Sequence, residues 1–371
     1  MANRQHGRRS ALGTLRGWCR HGVAVAVAGL ALAATGCAGP TGEVFTGTPG
    51  AELERAGDEI VVAGRHFHTG TRVVLWTEPD GYDAYRVERR FAPIEEAGWD
   101  ASKDKLGSPN RFGTRTWPGM TDEDREAVRS GGWDLPKLQH VVDQFVVHYD
   151  VCGVSQQCFN ILHDHRGLSV HFLLDIDGTI YQTMDVKEKA WHATRSNSRS
   201  VGIEIANMGA YGTGEDDPFD RWYAVDEDGR VRITVPPALG DGGVRTPNFV
   251  GRPARNGLVI GEVQGRTLRQ YDLTPEQYEA LPKLIATLNR ALPKMVIEAP
   301  RDERGNVVPG VLTDEAWRDF AGVIAHYHIQ SNKVDPGPAF QWERVLDEAR
   351  RLRAKMPAGS PGGNVLEPSG R

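Results

Sequence analysis

The 371-residue chain holds only four cysteines, too few for a scaffold built on disulfides. It has no long apolar run. The mean hydropathy is -0.44, and the most apolar stretch, residues 22–34 (GVAVAVAGLALAA), falls short of the roughly 20 residues that a helix needs to cross a bilayer. Positive charge is not in excess either, with 44 Lys and Arg against 49 Asp and Glu, a formal net of -5. Nucleic-acid binding, which wants a basic face, is therefore not expected. No internal repeat is visible. What is there is ordinary globular composition, 39% hydrophobic and 25% charged, enough for one large domain or two modest ones.

The first 36 residues stand apart. They carry Arg4, Arg8, Arg9, Arg16 and Arg20 and no acidic residue, and the apolar run follows. A basic start, a short apolar core and small residues after it describe an export signal. Its end, A-A-T-G-C, resembles a bacterial lipobox, with Cys37 as the lipidated residue and new N-terminus; Ala34 stands where Leu is commoner. An ordinary secretory signal with a chance cysteine is the alternative, and Arg8-Arg9 leaves twin-arginine export open. Removing residues 1–36 leaves 39 basic against 49 acidic residues, a formal net of -10. Cys19 departs with the signal. Cys152 and Cys158 remain in C-G-V-S-Q-Q-C, and in an oxidising compartment they are expected as a disulfide. Thiolate ligation of a metal is the alternative, at a spacing too wide for a zinc knuckle.

Residues 37–55 read as a Gly/Thr/Pro-rich tether. Residues 56–134 form an N-terminal extension, partly β, with short strands in EIVVAG, TRVVLW and YDAYRVERRF before the pattern dissolves at 92–132. The main domain spans 135–355, with a long polar insertion at 209–269, and residues 356–371 are expected to be a disordered tail. Within the domain, QFVVH (144–148) reads as a buried strand. SVHFLLDIDGTIYQ (169–182) reads as a hairpin turning at Asp177-Gly178, and SVGIEIA (200–206) as another strand. Thr274, Pro275 and Gln277 announce a capped helix, which Pro282 should kink. Further helices are expected at 314–325 and 339–355.

Three H-x-H pairs, His66/His68, His163/His165 and His326/His328, do not by themselves select a metal site. His148 ends an apolar strand and faces whatever opens at its edge. Glu204 lies between apolar neighbours, where burying a carboxylate costs several kcal/mol unless it is paired or shifts its pKa. Strand alternation would let Ile203 and Ile205 face the core while Glu204 faces a cleft, where a raised pKa suits a general base.

Four segments then occur in order: FVVHY, SVHFLLDIDGTIYQ, AWHATRSNSRSVGIEIAN and AHYHIQSNKVDPGPAFQW. Together they resemble the zinc-dependent N-acetylmuramoyl-L-alanine amidases, the amidase type 2 domain shared with peptidoglycan recognition proteins. The resemblance covers roughly residues 135–353 and leaves out the extension and the insertion. The C-x5-C after the first histidine also resembles the disulfide of peptidoglycan recognition proteins.

The resemblance implies an α/β fold, a central mixed β-sheet flanked by helices, carrying the N-terminal β-rich extension. It implies one Zn2+ held by His148, His326 and Asp335, with His326 preferred to His328 by its spacing to Asp335. Three protein ligands leave the fourth position open for water, as a catalytic zinc requires. Glu204 matches the catalytic glutamate, and Lys333 would neutralise the oxyanion. His171, Trp191, His192 and Asn197 match positions at or behind the substrate. The expected reaction is hydrolysis of the amide between N-acetylmuramic acid and L-alanine in peptidoglycan or muropeptides. The expected protein is a monomer, held at a membrane by a lipid on Cys37, at the outer membrane facing the periplasm if the source has two membranes. A non-catalytic peptidoglycan receptor of the same fold is the alternative.

Overall fold

The apolar run ending at His148 becomes an inner strand of a six-stranded sheet, with every residue from Gln144 to His148 buried. The structure, a computed structural model, describes residues 48–357. The signal segment, Cys19, Cys37, most of the tether and most of the tail lie outside them. The described residues from Arg55 onward belong to one compact unit, and among the described residues no helix is long and apolar enough to cross a membrane.

The chain begins with a hairpin, β1 (Glu59–Val62) and β2 (Arg65–His68), and then β3 (Val73–Leu75). Short helices α1 (Ile94–Ala97) and α2 (Trp99–Ser102), strand β4 (Phe112–Gly113) and helix α3 (Asp122–Gly131) fill the stretch where the sequence pattern dissolves. Helix α4 (Leu135–Val141) leads into β5 (Gln144–Tyr149). Helix α5 (Ser155–Phe159) runs on into a π-helical turn (Asn160–His165). Strands β6 (Phe172–Leu174), β7 (Ile180–Gln182), β8 (Lys189–Ala190) and β9 (Ser200–Ile205) follow.

The 209–269 segment brings β10 (Ala210–Gly212), α6 (Phe219–Trp222), β11 (Tyr223–Val225), β12 (Val231–Ile233) and β13 (Leu258–Val263). It closes inside β14 (Arg266–Tyr271). Helices α7 (Pro275–Ala291) and α8 (Asp314–Asp319), strand β15 (Gly322–Ala325), and helices α9 (His326–Ile329) and α10 (Trp342–Lys355) complete the order.

The central sheet runs β15-β5-β9-β6-β7-β3. Neighbours are parallel except β6 and β7, which pair antiparallel around the Asp177-Gly178 turn. This is the mixed sheet with flanking helices that the resemblance implied. One face carries Phe145, Val147, Ile203 and Ile205 against Leu281, Ile285 and Leu288 of α7 and Val345 and Leu346 of α10. Thr274 caps α7 in a reciprocal box with Gln277, and the helix runs through Pro282 without a break. The opposite face carries His148 and Glu204, because residues alternate along each strand.

Three expectations are corrected. The helix expected over 314–325 stops at Asp319, and its second half is strand β15. Gly322 adopts φ +143°, and a Cβ there would stand 2.6 Å from the Glu298 carbonyl oxygen. The buried β-branched pair Val323-Ile324 then continues beside β5. Residues 82–91 form no strand, because the Asp164 carboxylate takes the N–H groups of Arg90 and Phe91 at 2.9 and 2.7 Å. Tyr82 there stacks instead on Phe159 and Tyr181. Cys152 and Cys158 are free buried thiols, not the expected disulfide. The Cys152 thiol donates to the Asp150 carbonyl at 3.0 Å, and both sulfurs lie within 4.8 Å of an Asp150 carboxylate oxygen and of each other.

Candidate metal centre and active site

His148 and Glu204 occupy matching positions on parallel strands, so their side chains leave the same face of the sheet. His326 opens α9 directly after β15, the strand on the other side of β5. Asp335 follows on the loop before α10. A chain that reads as scattered over 187 residues thus converges at the carboxyl ends of three adjacent parallel strands.

The convergence is tight. His148 Nδ1 lies 2.8 Å from Asp335 Oδ2 and 2.9 Å from His326 Nδ1, and His326 Nδ1 lies 2.9 Å from the same Asp335 oxygen. Two imidazole nitrogens and a carboxylate oxygen at these distances lie close enough for one ion to touch all three at about 2 Å, the length of a zinc–nitrogen bond. Donor types and spacing therefore fit a zinc ion. The charges agree: Asp335 is held well below the usual carboxylate range by its two histidine neighbours despite burial. Burial, aided by His326, pushes His148 down to about 4, so it stays in the neutral, ligating form at neutral pH.

Both histidines have their far nitrogens occupied. His326 Nε2 meets Gln330 Oε1 at 2.8 Å, so it carries the proton and leaves Nδ1 bare. His148 Nε2 lies 3.0 Å from His192 Nδ1, and His192 Nε2 reaches Ser200 Oγ at 3.3 Å. Such partners fix the tautomer and the ring orientation of a ligand. Gly202 makes the room, since a Cβ there would fall 2.5 Å from the His192 ring.

A cleft of about 170 Å3 opens over the three residues, lined among others by Tyr149, Arg166, Trp191, His192, Glu204 and Lys333. Glu204 is partly buried, and its Oε2 is buried without a hydrogen-bond partner among the described residues. Burial, then the carboxylates of Asp335 and Asp150, push its pKa well above the usual range. A carboxylate so placed is suited to take up and hand on a proton.

Other expected residues stand elsewhere. His328 is fully buried and turned away, with its Nδ1 accepting from the Ala325 N–H at 2.9 Å and its Nε2 donating to the Val308 carbonyl at 2.7 Å. His171, expected at or behind the substrate, is fully buried and does not line the cleft. Its Nδ1 accepts from the Gly202 N–H at 3.1 Å and its Nε2 donates to the Glu188 carbonyl at 2.9 Å. Asn197 does not line the cleft either; its side chain accepts from the N–H groups of His192 and Ala193 and so shapes the turn that presents His192. Trp191 does line the cleft, against Lys189 at 4.7 Å.

Sequence reasoning missed Gln330 and Arg115. Gln330 was findable, since it sits four residues after His326 and so on the same side of a helical turn. Arg115 was not. Fully buried, it donates to the carbonyls of Val186, Ser198 and Ser200 and packs 3.0 Å from His171 Nε2, tying the N-terminal extension under the site.

The fold brings together His148, His326 and Asp335, a group that could hold one metal ion, beside the Glu204 carboxylate. Residues 138–338, more than half of the chain, match the family model described as N-acetylmuramoyl-L-alanine amidase, and the chain belongs to that amidase type 2 family. Among solved structures, it is similar to the E. coli amidase AmiD in complex with anhydro-N-acetylmuramic acid-L-Ala-D-gamma-Glu-L-Lys. The identity is 20% and the TM-score 0.30, over 56% of this chain and 57% of that one. It is also similar to an AmpD derivative (16%, TM-score 0.28, 64% of this chain and 93% of that one). A third is the endolysin amidase LysCS of Clostridium intestinale (15%, TM-score 0.28, 57% of this chain and 86% of that one). No curated protein matches the chain.

Proposed function

We propose that the protein is a zinc-dependent amidase that hydrolyses the bond between the lactyl carbonyl of N-acetylmuramic acid and the L-alanine nitrogen, in peptidoglycan or fragments of it. The observation that carries this reading is the meeting of His148, His326 and Asp335 within 2.9 Å of one another, beside Glu204 in one cleft, in a chain of the amidase family. An ion held by those three residues would supply Lewis-acid charge to polarise an amide carbonyl and acidify a water near it.

The chain's own groups do the rest. Glu204 takes the proton of the attacking water and passes it to the leaving nitrogen, so that the C–N bond breaks to give a carboxylate and an amine. Lys333, on the cleft wall, offers its ammonium to the oxyanion that develops on the carbonyl oxygen. Gln330 and His192 hold the two ligand imidazoles in the tautomer that presents Nδ1. Trp191 supplies an apolar wall for the sugar or peptide. The test is mass spectrometry of the products from a defined muropeptide incubated with zinc-loaded protein. Free stem peptide beginning at L-alanine is expected; intact substrate overturns the assignment.

The localisation reading rests on sequence alone. Lipid on Cys37 would tether the domain through residues 38–55 at a membrane facing the cell wall. Incorporation of labelled fatty acid by the wild type and not by Cys37→Ala is the expected outcome, and equal labelling of both removes it.

A further inference from the structure

Hairpin β13–β14, contributed largely by the polar 209–269 segment, is the element whose role the family resemblance leaves blank. Its tip and its second strand each reach one of the segments that carry the centre. At the tip, Gln264 donates to the carbonyls of Tyr327 and Gln330 at 2.9 and 3.0 Å, and its own carbonyl accepts from the Val311 N–H at 3.2 Å. The turn that carries His326 and its partner Gln330 is thus held from outside. In β14, Gln270 is completely buried. Its amide nitrogen donates to the Pro336 carbonyl and to Asn207 Oδ1, both at 3.1 Å, and its oxygen accepts from the Ala339 N–H at 3.0 Å. Pro336 adjoins Asp335, and Asn207 lies three residues beyond Glu204. One side chain therefore ties the loop of the third ligand to the end of the strand that carries the buried carboxylate.

The neighbours are cut to fit this amide. Gly337 adopts φ +83°, and a Cβ there would stand 2.1 Å from Gln270 Oε1. Gly261 of β13 lets Pro338 approach, since a Cβ there would meet the proline ring at 2.7 Å. Arg255 donates to the Ala339 carbonyl and pairs with Asp272 at 2.6 Å, which closes the clamp from the other side.

From these contacts we infer that Gln270 is a positioning residue for the metal centre: the β13–β14 hairpin sets the Asp335 loop, and through it the affinity of the site for zinc. The inference rests on the ligand set proposed above. Loss of an outer partner of a ligand typically costs about 10–100-fold in metal affinity, and a loop held by two hydrogen bonds from one buried amide falls in that class.

The test uses the full chain after removal of metal. Zinc dissociation constants, by competition with a chelator, and hydrogen exchange of the amides of residues 335, 337 and 339 are measured for wild type, Gln270→Met, Gly337→Ala and Asp335→Ala. Ile285→Val in α7, remote from the site, serves as a control for general loss of stability. Gln270→Met and Gly337→Ala, which disturb the same amide from opposite sides, are expected to weaken zinc about 10–100-fold and to speed exchange at residues 335, 337 and 339 in the metal-free protein. The control should leave both unchanged. If Gln270→Met does not fold, Gly337→Ala still decides. Wild-type zinc affinity and wild-type exchange in these variants, or equal losses in the control, overturn the inference while leaving the ligand set in place. Unchanged zinc binding by Asp335→Ala overturns the ligand set and the inference together.

Discussion

His148 and Glu204 face each other as register partners across the parallel ladder of β5 and β9. In a parallel pair, partners share a face, and the apolar neighbours Val147 and Ile203 take the other, against α7 and α10. Two strands that would otherwise be core thereby place His148 and Glu204 side by side on the lining of one cleft. A slip of either strand by one residue would put its polar side chain into the apolar layer, so the burial of that layer enforces the geometry of the site.

Glu204→Gln tests the carboxylate. The substitution keeps shape and a polar tip but cannot take up a proton. Zinc content should be unchanged, and turnover should fall by about 10²–10⁴-fold, the usual worth of general acid–base catalysis. Elemental analysis beside a muropeptide assay reads both, and full activity would remove Glu204 from the mechanism.

His326 and His328 should separate cleanly. His326→Ala is expected to lose zinc. His328→Ala is expected to keep it and to lose stability, because the Ala325 N–H and the Val308 carbonyl lose their buried partner, at about 1–3 kcal/mol for each group left unsatisfied. Zinc titration and urea unfolding of the two variants make the comparison. The opposite pattern would reverse the assignment.

Lys333→Met should leave zinc affinity as it is and lower kcat by about 10²–10³-fold, the loss typical when one oxyanion donor is removed. KM should move little, because the ammonium acts on charge that appears only in the transition state. A rise in KM with kcat intact would make Lys333 a binding residue instead.

Asp175 gives a pH prediction away from the metal centre. It is wholly buried, and burial pushes its carboxyl up to about 8, against an unfolded value of about 3.9. With the folded pKa raised, its contribution to stability is full below about pH 4 and is lost as pH rises towards 8, because the fold keeps a proton that the unfolded chain has released. Asp175→Asn removes the titration. The variant should therefore gain on the wild type, by up to about 1.4 kcal/mol per pH unit, as urea unfolding is repeated from pH 5 to pH 8. A difference that stays constant with pH contradicts the assignment.

The site's four anchor residues were legible in the sequence because each sits in a short local signature: His148 ending an apolar strand, Glu204 between isoleucines, His326 and Asp335 in one loop motif. The Thr274 box and the Asp177-Gly178 turn were legible for the same reason. Strand β15 was not, since four apolar residues after a capped helix carry no period of their own, and the decision falls to pairing with β5. The burial of Arg115 and Gln270 was hidden too. Their partners lie 56 to 85 residues away for Arg115 and 63 to 69 for Gln270, distances over which sequence pattern says nothing. Asn197 shapes the turn that presents His192, and His171 holds the Gly202 N–H and the Glu188 carbonyl behind it.

The most direct measurement is product analysis on one defined substrate. Zinc-loaded protein, metal-free protein and the Glu204→Gln variant are incubated with a muropeptide of known structure and analysed by mass spectrometry. The account predicts free stem peptide with an L-alanine amino terminus and a sugar bearing a free lactyl carboxylate, from the zinc-loaded wild type alone. Tight binding of zinc and muropeptide with the substrate left whole, or cleavage at another bond, would contradict it.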